Sequence, residues 1–457
     1  MIEDTLSPEE FPAEERQKNI RLLHNGNIRR LLAQYSIPAV IAMTTASLYN
    51  IIDRIFIGHG VGAMAIAGLA LTLPLMNMAA AFGSLVGIGG AALVSIRLGE
   101  RKNNEAAEIL GNTLFLNFVL GLGYAFACAP LLGPLLRLIG ASQQTLPYAQ
   151  QFMQIILFGN VFTHLYLGLN SVTRASGYPR GAMINTLETV AVNCALAPLF
   201  IFGFHWGIRG AAWATVLAQA SGVLLAFPHF LRRESAVRFH RKYLYPRLPI
   251  IRGIFSIGMP NFAMMLCASM TAVLFNVRMA RYGGDYAVGA FGIVNTLSMF
   301  FVMVSVGINQ GMQPIAGYNY GARQFDRVKA VFRDTVVGTS GAMACGFLLA
   351  EIFPRVVASA FTRDARLVAQ TVVGMRLFIL MFPLDGFQMT TSVFFQSIGK
   401  AKISLLLTLS RQVLFLAPFL IFLPWCWGLT GAWLAGPAAD LVAFLTTWIV
   451  LKRVRIA

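Results

Sequence analysis

Long apolar runs separated by short polar breaks recur along the whole chain. Stretches such as 251–279 and 288–316 hold very few ionisable side chains and exceed the ~20 residues that a helix needs to cross a bilayer. A single run of this kind could be the buried core of a soluble domain. Their recurrence, with only short turns between them, predicts an all-α integral membrane protein of about twelve transmembrane helices instead.

The same pattern repeats within the chain. Pro38 near the start of the first span matches Pro260 near the start of the seventh, and 260 − 38 = 222. Gly99 and Arg101 match Gly321 and Arg323 at that offset, Gly177 matches Gly399, and WGIRGA at 206–211 matches WGLTGA at 427–432 at an offset of 221. Four matches in order, within one residue of a fixed spacing, predict two six-helix lobes. The expected divisions are an N-terminal segment 1–30, an N-lobe 31–231, a basic linker 232–250, a C-lobe 251–451 and a tail 452–457. Six spans is an even number, so both lobes start on the same side. They are parallel repeats related by a pseudo-two-fold axis along the membrane normal, an arrangement that transporters use to place substrate between the lobes.

Charge changes the picture by its placement. Only 12% of the residues are charged and 57% are hydrophobic, with a mean hydropathy of +0.66. The net charge of +17 would elsewhere suggest nucleic acid. Here segments 16–30, 97–102, 174–180, 232–252, 323–333, 400–402 and 452–455 carry 26 of the 36 basic residues. The intervening turns, such as 59–62, 142–147 and 423–427, carry almost none. That alternation puts both termini and the linker on the cytoplasmic side, against anionic lipid headgroups, with no nucleic-acid partner. The acidic start 1–15 is no cleavable signal, and residues 16–34 read as an interfacial lead-in to the first span. Labelling of a cysteine placed at position 240 tests the topology: reagent confined to the cytoplasmic side is expected to reach it, and labelling only from outside would overturn the assignment.

The five cysteines are scattered singly and read as packing residues. No HExxH, GxSxG or Walker loop occurs, so neither an enzyme, a metal site nor ATP-driven transport on this chain is indicated. What stands out is charge inside apolar runs: Asp53, Glu188, Asp385 and Asp440, with Arg54, Arg278, Arg376 and Arg411 as partners or cavity cations. Pairing within the protein is the competing account for each acid, for instance Asp385 with Arg376. Asp440 and Glu351 lean toward that structural role. Pro38 and Pro260 each remove a backbone donor, so a helix bend is expected at both.

The run from Pro38 through Tyr49, Asn50 and Asp53 to Gly58 resembles the first-span signature of the multidrug and toxic compound extrusion (MATE) family. The resemblance continues through GLALTLP at 68–74, LGER at 98–101, RASG at 174–177, PLFIFG at 198–203 and GIRGAAWAT at 207–215, and so covers nearly the whole chain. It implies a twelve-helix exporter of the bacterial cytoplasmic membrane. Such a protein is driven by H⁺ or Na⁺, needs no cofactor, and is expected to work as a monomer on small cationic or amphipathic compounds. Residue by residue, it implies a cation-coupling site of Asp53, Asn193 and Thr215. The family's second acid is missing, because its Asp-Pro is Ala197-Pro198 here. That loss favours protons over sodium and leaves open whether Glu188 substitutes. A second-half site in another branch implies a coupling or substrate role for Asp385, with Gln388 nearby, although the accompanying Glu is Ala268 here. The rival within the superfamily is a lipid-linked oligosaccharide flippase, which Arg278 and Arg376 would serve by holding pyrophosphate.

Overall fold

The computed structural model describes residues 22–232 and 235–454, apart from the side chains of Asn50, Ile51 and Ala63. The acidic start, the first six residues of the lead-in (16–21) and the last three residues of the tail lie outside the described residues.

Seven helices build the N-lobe: α1 (Ile28–Gly60), α2 (Ala63–Gly99), α3 (Asn103–Cys128), the short α4 (Leu132–Leu138), α5 (Leu146–Ala175), α6 (Pro179–Pro198) and α7 (Ile208–Leu231). A π-helical turn, Leu199–Gly203, extends α6. The first helix starts inside the expected lead-in, at Ile28, because the Asn27 side chain accepts from Arg29 N (3.0 Å) and Arg30 N (3.3 Å). Such a cap satisfies amides that the helix cannot pair itself.

The C-lobe has α8 (Leu248–Gly321), α9 (Phe325–Ile352), the short α10 (Pro354–Phe361), α11 (Ala365–Phe378), α12 (Phe382–Ser397), α13 (Ala401–Leu409), a π-helical stretch Ser410–Leu416, and α14 (Ala417–Arg453). The 74-residue α8 and the run ending in α14 are each two spans, broken by left-handed Gly284 (φ 64°) and Gly428 (φ 58°). Helices α11 and α12 form one span bent by 51°. Counted in this way, the described residues make twelve spans, six in each lobe.

The backbone confirms the repeat independently of side chains. Gly284 lies 222 residues after left-handed Gly62, and Gly399 lies 222 after left-handed Gly177. Gly428 (φ 58°, ψ −135°) reproduces Gly207 (φ 58°, ψ −136°) at 221. Even a side-chain bond recurs: Asn170 donates to the Thr186 hydroxyl at 2.9 Å, and their counterparts Ser392 and Thr408 pair at 2.7 Å.

The 3₁₀ turn of the linker, Arg241–Leu244, is pinned to the start of α3, where Arg247 N donates to Asn112 Oδ1 (2.8 Å) and Arg247 meets Glu108 (2.8 Å). The linker and the turns after α2, α5, α8 and α12 therefore share one end of the bundle, termed the basic end. Contacts between lobes concentrate in this half. A Cβ built on Gly258 would lie 1.9 Å from Leu85 O, one on Gly89 2.1 Å from Ile254 O, one on Gly99 2.0 Å from Tyr318 O and one on Gly321 2.1 Å from Ile96 O. Only glycine permits helices to approach this closely. Pro38 is buried at the same crossing, where its neighbour Ser36 donates to Ile308 O at 3.2 Å and Val40 faces Gly307. Pro260 is its buried counterpart, beside Gly258. Large apolar side chains such as Phe126, Phe158, Leu224, Met270 and Trp425 point outward, as a lipid-facing surface requires.

Candidate functional site

In the N-lobe, α1, α6 and α7 bring the three expected coupling residues together. Asn193 Nδ2 donates to Thr215 Oγ1 at 3.4 Å, and Thr215 Oγ1 in turn donates to Ala211 O at 3.1 Å. The Asp53 carboxyl reaches the group through Tyr49. This phenol, one helical turn earlier on α1, stands beside both the Asp53 carboxyl and the Thr215 hydroxyl, and Cys194 flanks Asp53 from α6. Sequence reasoning quoted Tyr49 without assigning it a role. The signal was the spacing of four, which puts two helical side chains on one face.

Three polar atoms of this cluster are buried without a hydrogen-bond partner: Tyr49 Oη, Asp53 Oδ1 and Asn193 Oδ1. Buried polar atoms are nearly always paired, and exceptions call for a functional account. The donor set suits a proton better than a metal ion. It contains one carboxylate, one free amide oxygen and a Thr hydroxyl already engaged on both sides. Ala197, where the resemblance implies a second acid, is 0% exposed and packs against Phe200 and Ala214. No group of three or more His, Cys, Asp or Glu side chains poised for a metal occurs among the described residues.

Glu188 sits on another face of α6 from Asn193. It makes no ion pair among the described residues, and its Oε2 is buried without a partner. Five residues along a helix place it ~140° around α6 from Asn193.

The C-lobe acids have a different setting. Arg411, in the π-helical stretch, lies 3.1 Å from Asp385 Oδ1 and 2.8 Å from Asp440 Oδ1. Asp385 is 6% exposed and Asp440 4%. Here the expected competitor is corrected, because Arg376 pairs with Glu351 at 3.5 Å and not with Asp385. Arg376 ends α11 and Asp385 begins α12, and the 51° bend between those helices puts them on different axes. Gln388 is occupied structurally, donating to Leu407 O at 3.1 Å just ahead of the π-helical stretch. Ser410 Oγ donates to the same carbonyl at 3.0 Å.

The repeat shows how the lobes divide their chemistry. The counterparts of Asp385 and Asp440 are Thr163 (385 − 163 = 222) and Gln219 (440 − 219 = 221), a neutral pair joined by a hydrogen bond. The counterparts of Asp53 and Asn193 are Phe275 (275 − 53 = 222) and Phe415 (415 − 193 = 222). Phe275 is stacked on Phe291 at 4.9 Å. One lobe thus holds an acid with unpaired neighbours, and the other holds a closed ion triad.

Comparison with known proteins agrees with this organisation. The multidrug export protein MepA of Staphylococcus haemolyticus is 26% identical over 426 residues, covering 93% of this chain and 94% of that protein. MepA of Staphylococcus aureus is 24% identical over 434 residues, covering 93% and 95%. Among solved structures, the MATE multidrug transporter DinF-BH is 37% identical with a TM-score of 0.86, covering 93% of this chain and 95% of that one. A multidrug resistance MATE family transporter in an outward-facing conformation superposes with a TM-score of 0.89 at 24% identity, covering 95% and 97%. The MatE family matches residues 38–199 and 260–421, two blocks offset by 222 residues, and the chain belongs to that family.

Proposed function

We propose that the chain is a secondary active antiporter that exports small cationic or amphipathic organic compounds across the bacterial cytoplasmic membrane, with protons as the coupling ion. The export direction follows the name of MepA, a multidrug export protein, and a multidrug range follows the names of MepA and DinF-BH, while the cationic or amphipathic class follows the family resemblance. The coupling ion rests on one observation, the convergence in a half-buried cluster of Tyr49, Asp53 and Asn193, each with a buried polar atom that makes no hydrogen bond, around a single carboxylate.

Asp53 lies seven residues before the end of α1, about 10 Å from the end opposite the basic one. With the lobes in contact over the basic half, and that half taken as the cytoplasmic one, the cluster would take its proton from outside. A neutral Asp53 no longer needs solvation of its charge, so Tyr49 and Asn193 are released to repack and the substrate leaves. Loss of the proton toward the cytoplasm restores the charged, substrate-accepting state. Asp385 and Gln388 support the C-lobe frame in this reading, through Arg411 and the Leu407 carbonyl. The flippase reading loses one of its two arginines, because Arg376 is engaged by Glu351, and keeps Arg278, whose Nε makes no hydrogen bond.

The test is transport in proteoliposomes under an imposed pH gradient or an imposed sodium gradient, with a panel of organic cations. Drive by the pH gradient alone is expected, and drive by sodium alone would overturn the proton assignment. In the same assay Pro38→Ala is expected to slow turnover several-fold at normal expression, because it restores a backbone donor where α1 crosses the other lobe. Unchanged kinetics would remove the bend from the cycle.

A further inference from the structure

At the basic end, the turns closing α2 and α8 meet across the lobe interface and line an open cavity of ≈ 610 Å³, with Arg101 and Arg323 both exposed. Its walls include Arg101 and Lys102 from one lobe, Tyr320, Arg323 and Phe325 from the other, and His24 from the turn ahead of α1. The two turns are built alike. Each ends its helix with paired backbone bonds, Arg101 N to Leu98 O (3.1 Å) and Lys102 N to Arg97 O (2.9 Å), then Arg323 N to Tyr320 O (3.0 Å) and Gln324 N to Asn319 O (2.9 Å).

Such endings put one residue in the left-handed region, where glycine is the unstrained choice. Both turns place arginine there instead, Arg101 at φ 61° and Arg323 at φ 59°. Backbone strain accepted twice, at matching positions, indicates that the guanidinium groups are wanted. Neither forms an ion pair among the described residues. Among the described residues the one acid on the wall is already committed: Glu100 holds Arg97 at 2.6 Å and Lys102 at 3.3 Å. Burial tends to raise the Glu100 carboxyl, but Arg97 and Lys102 outweigh it and hold it below the ordinary value, so it stays charged and paired. His24 is fixed to Gln324 at 3.0 Å and closes the wall from the N-terminal side.

We propose that this cavity is a binding site for a phosphate-bearing anion, held between Arg101 and Arg323. Guanidinium groups suit phosphate through paired, charge-assisted hydrogen bonds. Two of them on opposite lobes can share one anion only while Gly99 and Gly321 rest on the partner helices. Bound anion therefore favours the conformation closed at the basic end, by the linkage between binding and conformation. The consequence for turnover rests on the exporter reading above, but binding and closure do not.

The test uses purified full-length protein with inorganic pyrophosphate as probe, in nanodiscs of phosphatidylcholine alone and in nanodiscs containing phosphatidylglycerol. Calorimetry reads binding. Spin labels at Asn104→Cys and Asp326→Cys, in a background without the native cysteines, read the distance between lobes. Either anion source is expected to increase the short-distance population. A response to pyrophosphate identifies a soluble ligand, and a response to phosphatidylglycerol alone identifies a lipid headgroup. Arg101→Gly with Arg323→Gly suits both left-handed positions and preserves the fold, yet it should weaken binding by more than about tenfold and abolish the shift. Arg101→Lys with Arg323→Lys should restore part of it. An unchanged response in the double glycine variant, or no response to either source in the wild type, overturns the proposal.

Discussion

Asp53→Asn is expected to reduce transport driven by a pH gradient to the level of empty liposomes. Asparagine keeps the shape and the hydrogen-bonding reach of the side chain but cannot exchange a proton. The variant mimics the protonated, substrate-releasing state permanently, so it should bind substrate more weakly while keeping the thermal unfolding of the wild type. That pairing separates a coupling defect from a folding defect. Tyr49→Phe should give a milder loss, because it removes the phenol next to the acid and leaves the acid itself. Gradient-driven transport surviving in Asp53→Asn would take this residue out of the mechanism.

The second large effect concerns stability. The triad sets one guanidinium, Arg411, between the two carboxyl groups of Asp385 and Asp440 in a buried site. Arg411→Met would leave two carboxylates facing each other without their shared counterion, and it is expected to cost about 3–5 kcal/mol, the range for breaking a buried ion pair from one side. Asp385→Asn leaves a matched pair of Arg411 and Asp440, so its cost should be under about 1 kcal/mol. Replacing all three by Asn, Met and Asn should recover most of the loss in Arg411→Met. Thermal unfolding of the purified protein in detergent measures the series. Equal losses in Arg411→Met and Asp385→Asn would contradict a shared triad. Asp385→Asn also bears on transport, since full retention of coupling would confine Asp385 to its structural part.

The architecture was largely legible in the sequence because its punctuation has steric causes. Gly177, Gly399, Gly207 and Gly428 mark turns that require positive φ, so they survive in both halves at a fixed spacing. The gathering of Asp53, Asn193 and Thr215 came from the family resemblance, and the structure supplied the bridging phenol of Tyr49. The triad was not legible. Its members are 26 and 29 residues apart (411 − 385 and 440 − 411), and its arginine sits in a π-helical stretch whose altered pitch no periodicity argument foresees. Arg376 looked the better partner, nine residues from Asp385, until the break between α11 and α12 separated them.

The glycine contacts between the lobes bear on how the protein can cycle. At Gly89, Gly258, Gly99 and Gly321 the opposing surface is bare backbone carbonyl, so no long side chain from those positions is threaded into the other lobe. Surfaces of this kind part without rotamer changes and without stranding buried side-chain donors. They also meet again in one register, because a shift along the axis would drive a neighbouring Cβ into a carbonyl. Such a joint is cheap to open and hard to misalign, which suits the proposed cycle, in which it would be broken and remade at every turnover without wear on the packing inside either half.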